Sequence, residues 1–196
     1  PVIREIALEE SRQEDFRLTP SPVMQEEIVI SATRAGSKSP TAYENISKAE
    51  LQPLNLGQDL PYLLDETPSA VVSSDAGAGV GYTGIRIRGT DITRINVTVN
   101  GIPVNDQESQ GVFWVNMPDF SSSIDNIQVQ RGVGTSTNGP AAFGASINIQ
   151  TLKLNPTPYA ELNNSYGSFD TWKNNILVGT GLMGGKWSFD GRLSRI

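Results

Sequence analysis

The dipeptide Asn100-Gly101 is the feature that most restricts how this chain can fold. It lies between two strand-like runs, residues 95–99 and 102–104, that are rich in Ile and Val. Both central residues of a type I′ turn need positive φ angles, and Asn followed by Gly adopts them readily. The stretch 95–104 is therefore predicted to be a tight β-hairpin.

Other short elements surround this hairpin. Leucines at helical spacing predict two helices, at 48–54 and 57–65, and Pro68 ends the second. Runs of β-branched residues, some with strict alternation, predict further strands at 70–72, 85–88, 124–130 and 147–149. Together these elements predict an α+β domain with a mixed β-sheet and short helices.

The sequence after Pro158 has a different pattern. Three segments of about ten residues, 159–166, 171–178 and 186–196, alternate apolar with polar residues. This pattern is typical of a membrane β-barrel whose polar side faces a wet lumen, and an ordinary antiparallel sheet with one solvated face is the alternative. On the barrel interpretation the side chains that face lipid are Leu162, Tyr166, Trp172, Ile176, Trp187, Phe189 and Leu193. The chain ends inside the third alternating segment, so we expect it to be part of a longer protein.

Composition excludes several classes of function. The 196 residues include no cysteine and no histidine, and the formal net charge is −6. Without cysteine there are no disulfides or thiolate metal sites, and without histidine the commonest general base is missing. Nucleic-acid binding needs clustered Lys and Arg, so the negative charge disfavours it. We expect neither an enzyme nor a cofactor.

Two local patterns resemble a nucleotide motif and a calcium loop but lack features that those motifs require. Residues 79–84 fit the dinucleotide pattern G-x-G-x-x-G, but a strand follows them where that motif requires a helix. A flexible loop is the better interpretation. Asp106, Glu108 and Asp119 lack the spacing and the glycine of a calcium loop, so we expect these acids to lie in solvated polar loops.

The stretch Glu26-Glu27-Ile28-Val29-Ile30-Ser31-Ala32 poses a different question. Its apolar centre has the β-propensity of a strand, but a proline-spaced leader precedes it and a linker-like segment at 35–45 follows it. A strand with flexible chain on both sides has no sheet of its own. The residues alone leave its partner open: another protein, a strand inside the folded region, or the segment that precedes it.

The order of these pieces resembles that of a TonB-dependent outer-membrane receptor. The stub EEIVISA resembles a TonB box, the motifs IRIRG, INVTVNGIPV, IDNIQVQRG and NGPAAFGASINIQT resemble a plug domain, and the alternating segments resemble the first barrel strands. The resemblance implies the end of a preceding extension at 1–25, a TonB box and linker at 26–45, a plug at 46–155 and barrel strands at 156–196. The extension is similar in position to a carboxypeptidase-regulatory-like domain.

The same resemblance implies a function without bond breaking. Such receptors bind a scarce nutrient, usually a ferric siderophore, at the extracellular face and import it to the periplasm using TonB with ExbB and ExbD. The plug fills a barrel of about 22 strands, a size at which the lumen is plugged. Outer-membrane lipid surrounds the barrel. A surface lipoprotein is an optional further partner that the resemblance allows. Siderophore, cobalamin, glycan and peptide all stay open as substrates, and a soluble secreted β-rich binding or adhesion module is the alternative function.

Three groups of site residues follow from the resemblance. TonB binding is assigned to residues 26–32. Ligand contact is expected from two loops, 74–83 and 105–114, through Tyr82, Asp106, Gln107, Glu108, Gln110, Phe113 and Trp114; Phe113 and Trp114 have the alternative of being core residues. Arg88 and Arg131, each followed by glycine at a strand end, are expected to form ion pairs with barrel glutamates.

Overall fold

The computed structural model describes residues 34–134, 142–151, 154–168 and 170–196. Within these ranges the strands are β1 Ala42–Ser47, β2 Ala70–Ser74, β3 Thr83–Ile87, β4 Ile95–Val99, β5 Ile102–Pro103, β6 Asn126–Arg131, β7 Ala145–Gln150, β8 Tyr159–Tyr166, β9 Trp172–Gly179 and β10 Asp190–Arg195. The α-helices are α1 Lys48–Leu51 and α2 Leu60–Leu63, and short 3-10 turns occupy Gln52–Leu54, Ile92–Arg94, Trp114–Asn116 and Phe120–Ser123. In the described part of the chain, no helix has the length and apolar character to cross a membrane.

The predicted hairpin is confirmed. Asn100 and Gly101 have φ angles of 51° and 82°, as a type I′ turn requires. Val99 stands opposite Ile102 in the antiparallel pairing of β4 with β5.

The hairpin belongs to a five-stranded mixed sheet in the order β1-β6-β7-β4-β5. Strand β4 runs parallel to β7, and the other neighbouring pairs are antiparallel. One face of this sheet carries the apolar residues of β4, β6 and β7, and it packs on α1, α2 and β3 to form the core. The described residues between 42 and 151, called the sheet domain below, thus form the mixed sheet with short helices that the sequence predicted.

The opposite face of the same sheet is polar. Asn45, Gln128, Asn148 and Thr98 stand opposite one another on the neighbouring strands β1, β6, β7 and β4. Gln128 Nε2 donates to Asn45 Oδ1 at 2.8 Å, and Thr98 Oγ1 donates to Asn148 Oδ1 at 2.9 Å. We call these four residues the polar row.

Helix α2 is shorter than the predicted 57–65. Gly57 has a φ of 126°, which is incompatible with a helix, and the Asp59 N–H donates to the Gly79 carbonyl at 2.8 Å rather than within the helix. Pro61 lies in the first turn, where its missing N–H costs nothing. The helix therefore begins only at Leu60.

Strands β8, β9 and β10 form a separate three-stranded antiparallel sheet, called the wall strands below. Leu162 stands opposite Ile176, which stands opposite Leu193, so the three form one exposed apolar row. The third segment is a shorter strand than expected and begins at Asp190, because a turn closed by the Met183–Trp187 bridge precedes it.

Candidate functional site

The apolar face of the wall strands points away from the sheet domain. The side chains predicted to face lipid are all exposed, and they comprise Leu162, Tyr166, Trp172, Ile176, Trp187, Phe189 and Leu193. Their neighbours in sequence, such as Lys173, Asn175 and Arg192, point towards the sheet domain instead. The wall strands therefore present an apolar outer face and a polar inner face.

A single buried carboxylate, Asp119, lies where the sheet domain meets this inner face. Its side chain is 1 % exposed, and Lys173 Nζ, on a side chain 2 % exposed, lies 2.6 Å from Asp119 Oδ1. The Ser122 hydroxyl donates to the same oxygen at 2.6 Å. Lys173 also donates to Ser122 Oγ at 2.9 Å. The ammonium and the carboxylate thus compensate each other's buried charge.

The second oxygen of Asp119 takes donors from β9 and β10. Asn175 Nδ2 donates to Oδ2 at 2.8 Å, the Ser194 hydroxyl donates to the same atom, and Arg192 Nη1 lies 3.2 Å from it. Arg192 also donates to the Asp119 backbone carbonyl at 2.9 Å. Two cations and two neutral donors of the wall strands therefore converge on one residue of the sheet domain.

The environment of Asp119 keeps it ionised. Burial favours the neutral acid, but hydrogen bonds from Lys173, Ser122 and Ser194, together with the charge of Lys173, outweigh it and hold the pKa of Asp119 below 3.8. The residue has a left-handed backbone, with φ at 51°, which aspartate tolerates better than most residues. The expectation that Asp119 lies in a solvated polar loop is therefore wrong.

The partners of Asp119 could not be read from the sequence. Alternation in 171–178 and 186–196 indicates that Lys173, Asn175, Arg192 and Ser194 share polar faces, but it does not say what those faces meet. The left-handed backbone of Asp119 is visible only in the structure, and nothing in the local sequence marks the residue as a partner of the wall strands.

A second, weaker contact and a cleft complete this interface. Lys48 Nζ lies 3.1 Å from Glu161 Oε2, and both side chains are more than a third exposed, so the pair contributes between about 0 and 1 kcal/mol. Beside it a cleft of about 470 Å³ separates the sheet domain from the wall strands. Its charged lining residues are Lys48, Asp125, Glu161, Asp190 and Arg192.

The loop 105–114 is tightly folded on itself. Asp106 Oδ1 accepts from the Ser109 N–H at 2.7 Å and from the Ser109 hydroxyl at 2.8 Å. These bonds lower the pKa of Asp106. Asn105 closes the loop onto β4, because its Oδ1 accepts from the Val97 N–H at 2.8 Å.

A cavity of about 230 Å³ lies beside this loop. Its lining is mostly uncharged and polar, with Thr93, Asn96, Asn105, Gln107 and Gln110 among the contributors and Asp106 as its one acidic member. Amide groups of this kind can donate and accept hydrogen bonds. The loop therefore offers a shallow surface on which a few amide groups border mainly apolar area.

The two aromatic residues at the end of this loop separate in the structure. Phe113 is exposed, whereas Trp114 is 2 % exposed and belongs to the hydrophobic core. A side chain with almost no accessible surface offers nothing for a ligand to contact, so the assignment of Trp114 to ligand binding is corrected: it is a core residue.

The loop 74–83 is held by a residue that the sequence did not single out. Asp59 Oδ2 accepts from the Gly81 N–H at 3.0 Å and from the Thr83 hydroxyl at 2.8 Å. Burial raises the pKa of Asp59, although these two hydrogen bonds oppose the shift. Tyr82, at 66 % exposed, projects from the loop into solvent.

The two arginines expected to form ion pairs lie close together. A Cβ built on Gly132 would lie 2.6 Å from Arg88 Nη1, so the Arg88 side chain packs on the residue that follows Arg131. Arg88 is exposed, and Arg131 Nη1 donates to the Pro68 carbonyl at 3.4 Å. Their pairing with barrel glutamates stays a prediction.

The stretch 26–32, assigned to TonB binding, lies outside the described residues. In the part of the chain that is described, no group of three or more carboxylates is arranged to hold a metal ion.

The fold and this interface define a class: a small mixed-sheet domain tied by buried charges to the polar face of an amphipathic antiparallel wall. A family model described as TonB-dependent Receptor Plug Domain matches residues 35–146. The chain therefore belongs to the TonB-dependent receptor plug domain family, a family of outer-membrane receptors and transporters rather than enzymes. This family membership sets aside the soluble secreted module.

Known relatives agree with this assignment. The chain is 30 % identical over 146 residues to the vitamin B12 transporter BtuB of Vibrio vulnificus, covering 73 % of this chain and 23 % of the relative. Its fold resembles the ferric yersiniabactin uptake receptor FyuA from Yersinia pestis, with a TM-score of 0.63, 17 % identity and coverage of 83 % and 25 % of the two chains. It also resembles the ferripyoverdine receptor of Pseudomonas aeruginosa, with a TM-score of 0.63, 18 % identity and coverage of 85 % and 22 %. The chain thus spans about a quarter of the length of these proteins.

Proposed function

We propose that this chain is the plug and the first barrel strands of an energy-coupled importer for a scarce nutrient. The sheet domain is the plug, and the wall strands are the start of the barrel that surrounds it. The observation that carries the proposal is the convergence of Lys173, Arg192, Asn175 and Ser194 on Asp119. This contact fits a domain that is seated inside a barrel, because it buries the polar face of the wall and leaves the apolar face for lipid.

The energy source in this proposal is TonB, with ExbB and ExbD. Residues 26–32 join TonB as an added strand, a mode in which main-chain hydrogen bonds supply most of the affinity. Uptake should therefore require TonB, whereas binding of the nutrient at the cell surface should not. The test is to express the full-length receptor in strains with and without TonB and to measure both quantities. Equal uptake in the two strains would contradict the proposal.

A ferric siderophore or similar iron chelate is the first candidate for the nutrient. Solved structures that resemble this fold include the ferric yersiniabactin uptake receptor FyuA and the ferripyoverdine receptor of Pseudomonas aeruginosa. The exposed contacts that the plug would supply are Tyr82, Asp106, Gln107, Glu108, Gln110 and Phe113.

A corrinoid is the second candidate, and two observations favour it. The relative of 30 % identity is a vitamin B12 transporter. The loops 74–83 and 105–114 contain three carboxylates, Asp75, Asp106 and Glu108, and neither Lys nor Arg, so they suit an uncharged, amide-bearing ligand better than a polyanionic chelate. Uptake of radiolabelled cyanocobalamin measured beside uptake of radiolabelled ferric siderophores distinguishes the two candidates.

A further inference from the structure

A short segment just before β1 is held on the sheet by one glutamine side chain. Gln128 Oε1 accepts from the Ala35 N–H at 2.7 Å, and Gln128 Nε2 donates to the Ala35 carbonyl at 2.9 Å. The side-chain amide thus bonds both main-chain groups of Ala35, much as an adjacent strand would.

The rest of the contact is also polar. Arg34 Nη2 donates to the Asn148 carbonyl at 2.9 Å, and Gln128 Oε1 takes a further bond from Gln130 Nε2 at 2.9 Å. Ala35, which is buried, is the one apolar side chain of the segment Arg34–Gly36. Leaving such a surface replaces protein hydrogen bonds with water hydrogen bonds and exposes little apolar area.

The segment Arg34–Gly36 lies between the stretch assigned to TonB binding and strand β1, so its contact with Gln128 lies on the path from one to the other. Ala32, the last residue of the stretch assigned to TonB, lies two positions before Arg34. After Gly36 a turn follows, in which the Ser39 N–H donates to the Gly36 carbonyl at 2.8 Å, and β1 then pairs with β6 over its whole length. Among the contacts that the structure describes, a pull on residues 26–32 would reach the Ala35–Gln128 contact before the strand pairing of β1.

We propose that the polar row is a reversible docking surface for an extended peptide backbone, and that its occupant is the segment Arg34–Gly36, selected by Gln128. The proposal rests on the TonB-coupled function proposed above. In the docked state the segment holds the chain on the plug from Arg34 to Gly36. When the segment leaves, the row becomes exposed, but water can satisfy its amides and hydroxyls, so the sheet stays folded. An apolar docking surface would not release its occupant in this way.

The experiment measures how fast a cysteine at position 35 reacts with a maleimide. The chain has no cysteine of its own, so Ala35→Cys is introduced into the full-length receptor with any other cysteine removed, and labelling is followed in isolated outer membranes. Gln128→Leu removes both bonds to Ala35 at nearly constant volume, and we expect labelling to be faster by about tenfold or more. Gln128→Glu retains one acceptor for the Ala35 N–H and should give an intermediate rate.

Two controls separate release of the segment from general loosening. Gln150→Leu alters a glutamine on the same face, which accepts from Asn126 Nδ2 at 2.8 Å and does not hold the segment; labelling at position 35 should stay unchanged. Val129→Cys, at a core position with 0 % exposure, should stay protected in the Gln128→Leu background.

The labelling rates at positions 35 and 129 together test the proposal. Faster labelling at position 35 with protection at position 129 supports it. It is overturned if Gln128→Leu leaves the labelling rate unchanged, if Gln150→Leu has the same effect, or if position 129 becomes equally reactive. Because the assay uses neither TonB nor a nutrient, its result is independent of the uptake comparison that tests the proposed function.

Discussion

Asp119 shows how one side chain can join two structural units. Its carboxylate is bonded by Lys173, Asn175, Arg192 and Ser194 from two different wall strands. The resemblance to the receptor family predicted plug arginines pairing with barrel carboxylates. At Asp119 the polarity is the reverse: the plug supplies the anion and the wall supplies the cations.

We expect Asp119→Asn to weaken the attachment of the plug by about 3–5 kcal/mol, because it leaves the buried Lys173 without a compensating charge. Adding Lys173→Met should recover much of this loss, since the double variant no longer buries an isolated charge. Chemical unfolding of the purified receptor in detergent measures both effects. If the double variant were less stable than Asp119→Asn, the ion pair would not be the source of the stability.

Ile30 tests the TonB assignment at the level of a single residue. Proline removes a main-chain donor and fixes φ, so Ile30→Pro should abolish energised uptake while surface binding of the nutrient stays intact. Ile30→Val keeps the β-propensity and should leave uptake almost unchanged. Growth on the limiting nutrient measures the effect, and normal growth of the proline variant would refute the assignment.

At the scale of secondary-structure elements, the wall strands divide sharply into two faces. Leu193 lies in the exposed apolar row, and its neighbour Ser194 bonds Asp119. Leu193→Lys should therefore destabilise the assembled barrel by about 2–4 kcal/mol if the position lies near the bilayer midplane. Leu193→Phe is the matched control and should assemble normally. The measurement is the fraction of receptor in outer membranes that migrates as folded barrel, and unchanged assembly of the lysine variant would show that the face does not meet lipid.

The loop 105–114 makes the second prediction at this scale. Replacing residues 106–110 by Gly and Ser removes the Asp106 carboxylate and the amides of Gln107 and Gln110 from the cavity of about 230 Å³ beside this loop. Trp114 stays in the core, so we expect nutrient affinity to fall by about tenfold or more with the fold retained. Replacing the turn 182–186 between β9 and β10 is the control. Calorimetry on the full-length receptor measures the affinity, and equal affinities would exclude this loop from the binding site.

At the scale of the whole molecule, acid should loosen the plug. The pKa of Asp119 is lower in the folded protein than its ordinary value of 3.8, so the folded state binds this proton more weakly than the unfolded state. The stability that Asp119 contributes is therefore fully present above a pH of about 4 and is lost as the pH falls through the folded pKa. Asp59, whose pKa is raised, acts in the opposite direction and favours the folded state as it takes up its proton.

Protease digestion of the plug in detergent between neutral pH and a pH of about 3 measures this effect. The acid-induced sensitivity should be reduced in Asp119→Asn/Lys173→Met, which has no carboxylate to titrate at this position. A double variant with the same acid profile as the parent would place the effect at another group.

Much of the fold could be predicted from local patterns in the sequence. The Asn100-Gly101 turn and the alternation along β8 and β9 depend on neighbours in sequence, and both appear in the structure where the sequence placed them. The attachment of Asp119 to Lys173 and Arg192 joins residues 54 or more positions apart, and alternation alone cannot select such a partner. Trp114 was ambiguous for a related reason, because a lone aromatic residue at a loop end fits a core as well as a ligand surface.

The sharing of one carboxylate by several donors has a consequence for the divergence of these receptors. A substitution that removes the Asp119 charge leaves Lys173 buried and uncompensated, so a lineage that loses one charge is under pressure to lose or invert the other. Positions 119, 173 and 192 should therefore covary among homologous receptors, with neutral sets and charge-swapped sets both more frequent than half-charged ones. Positions 48 and 161, whose side chains are more than a third exposed, should drift independently.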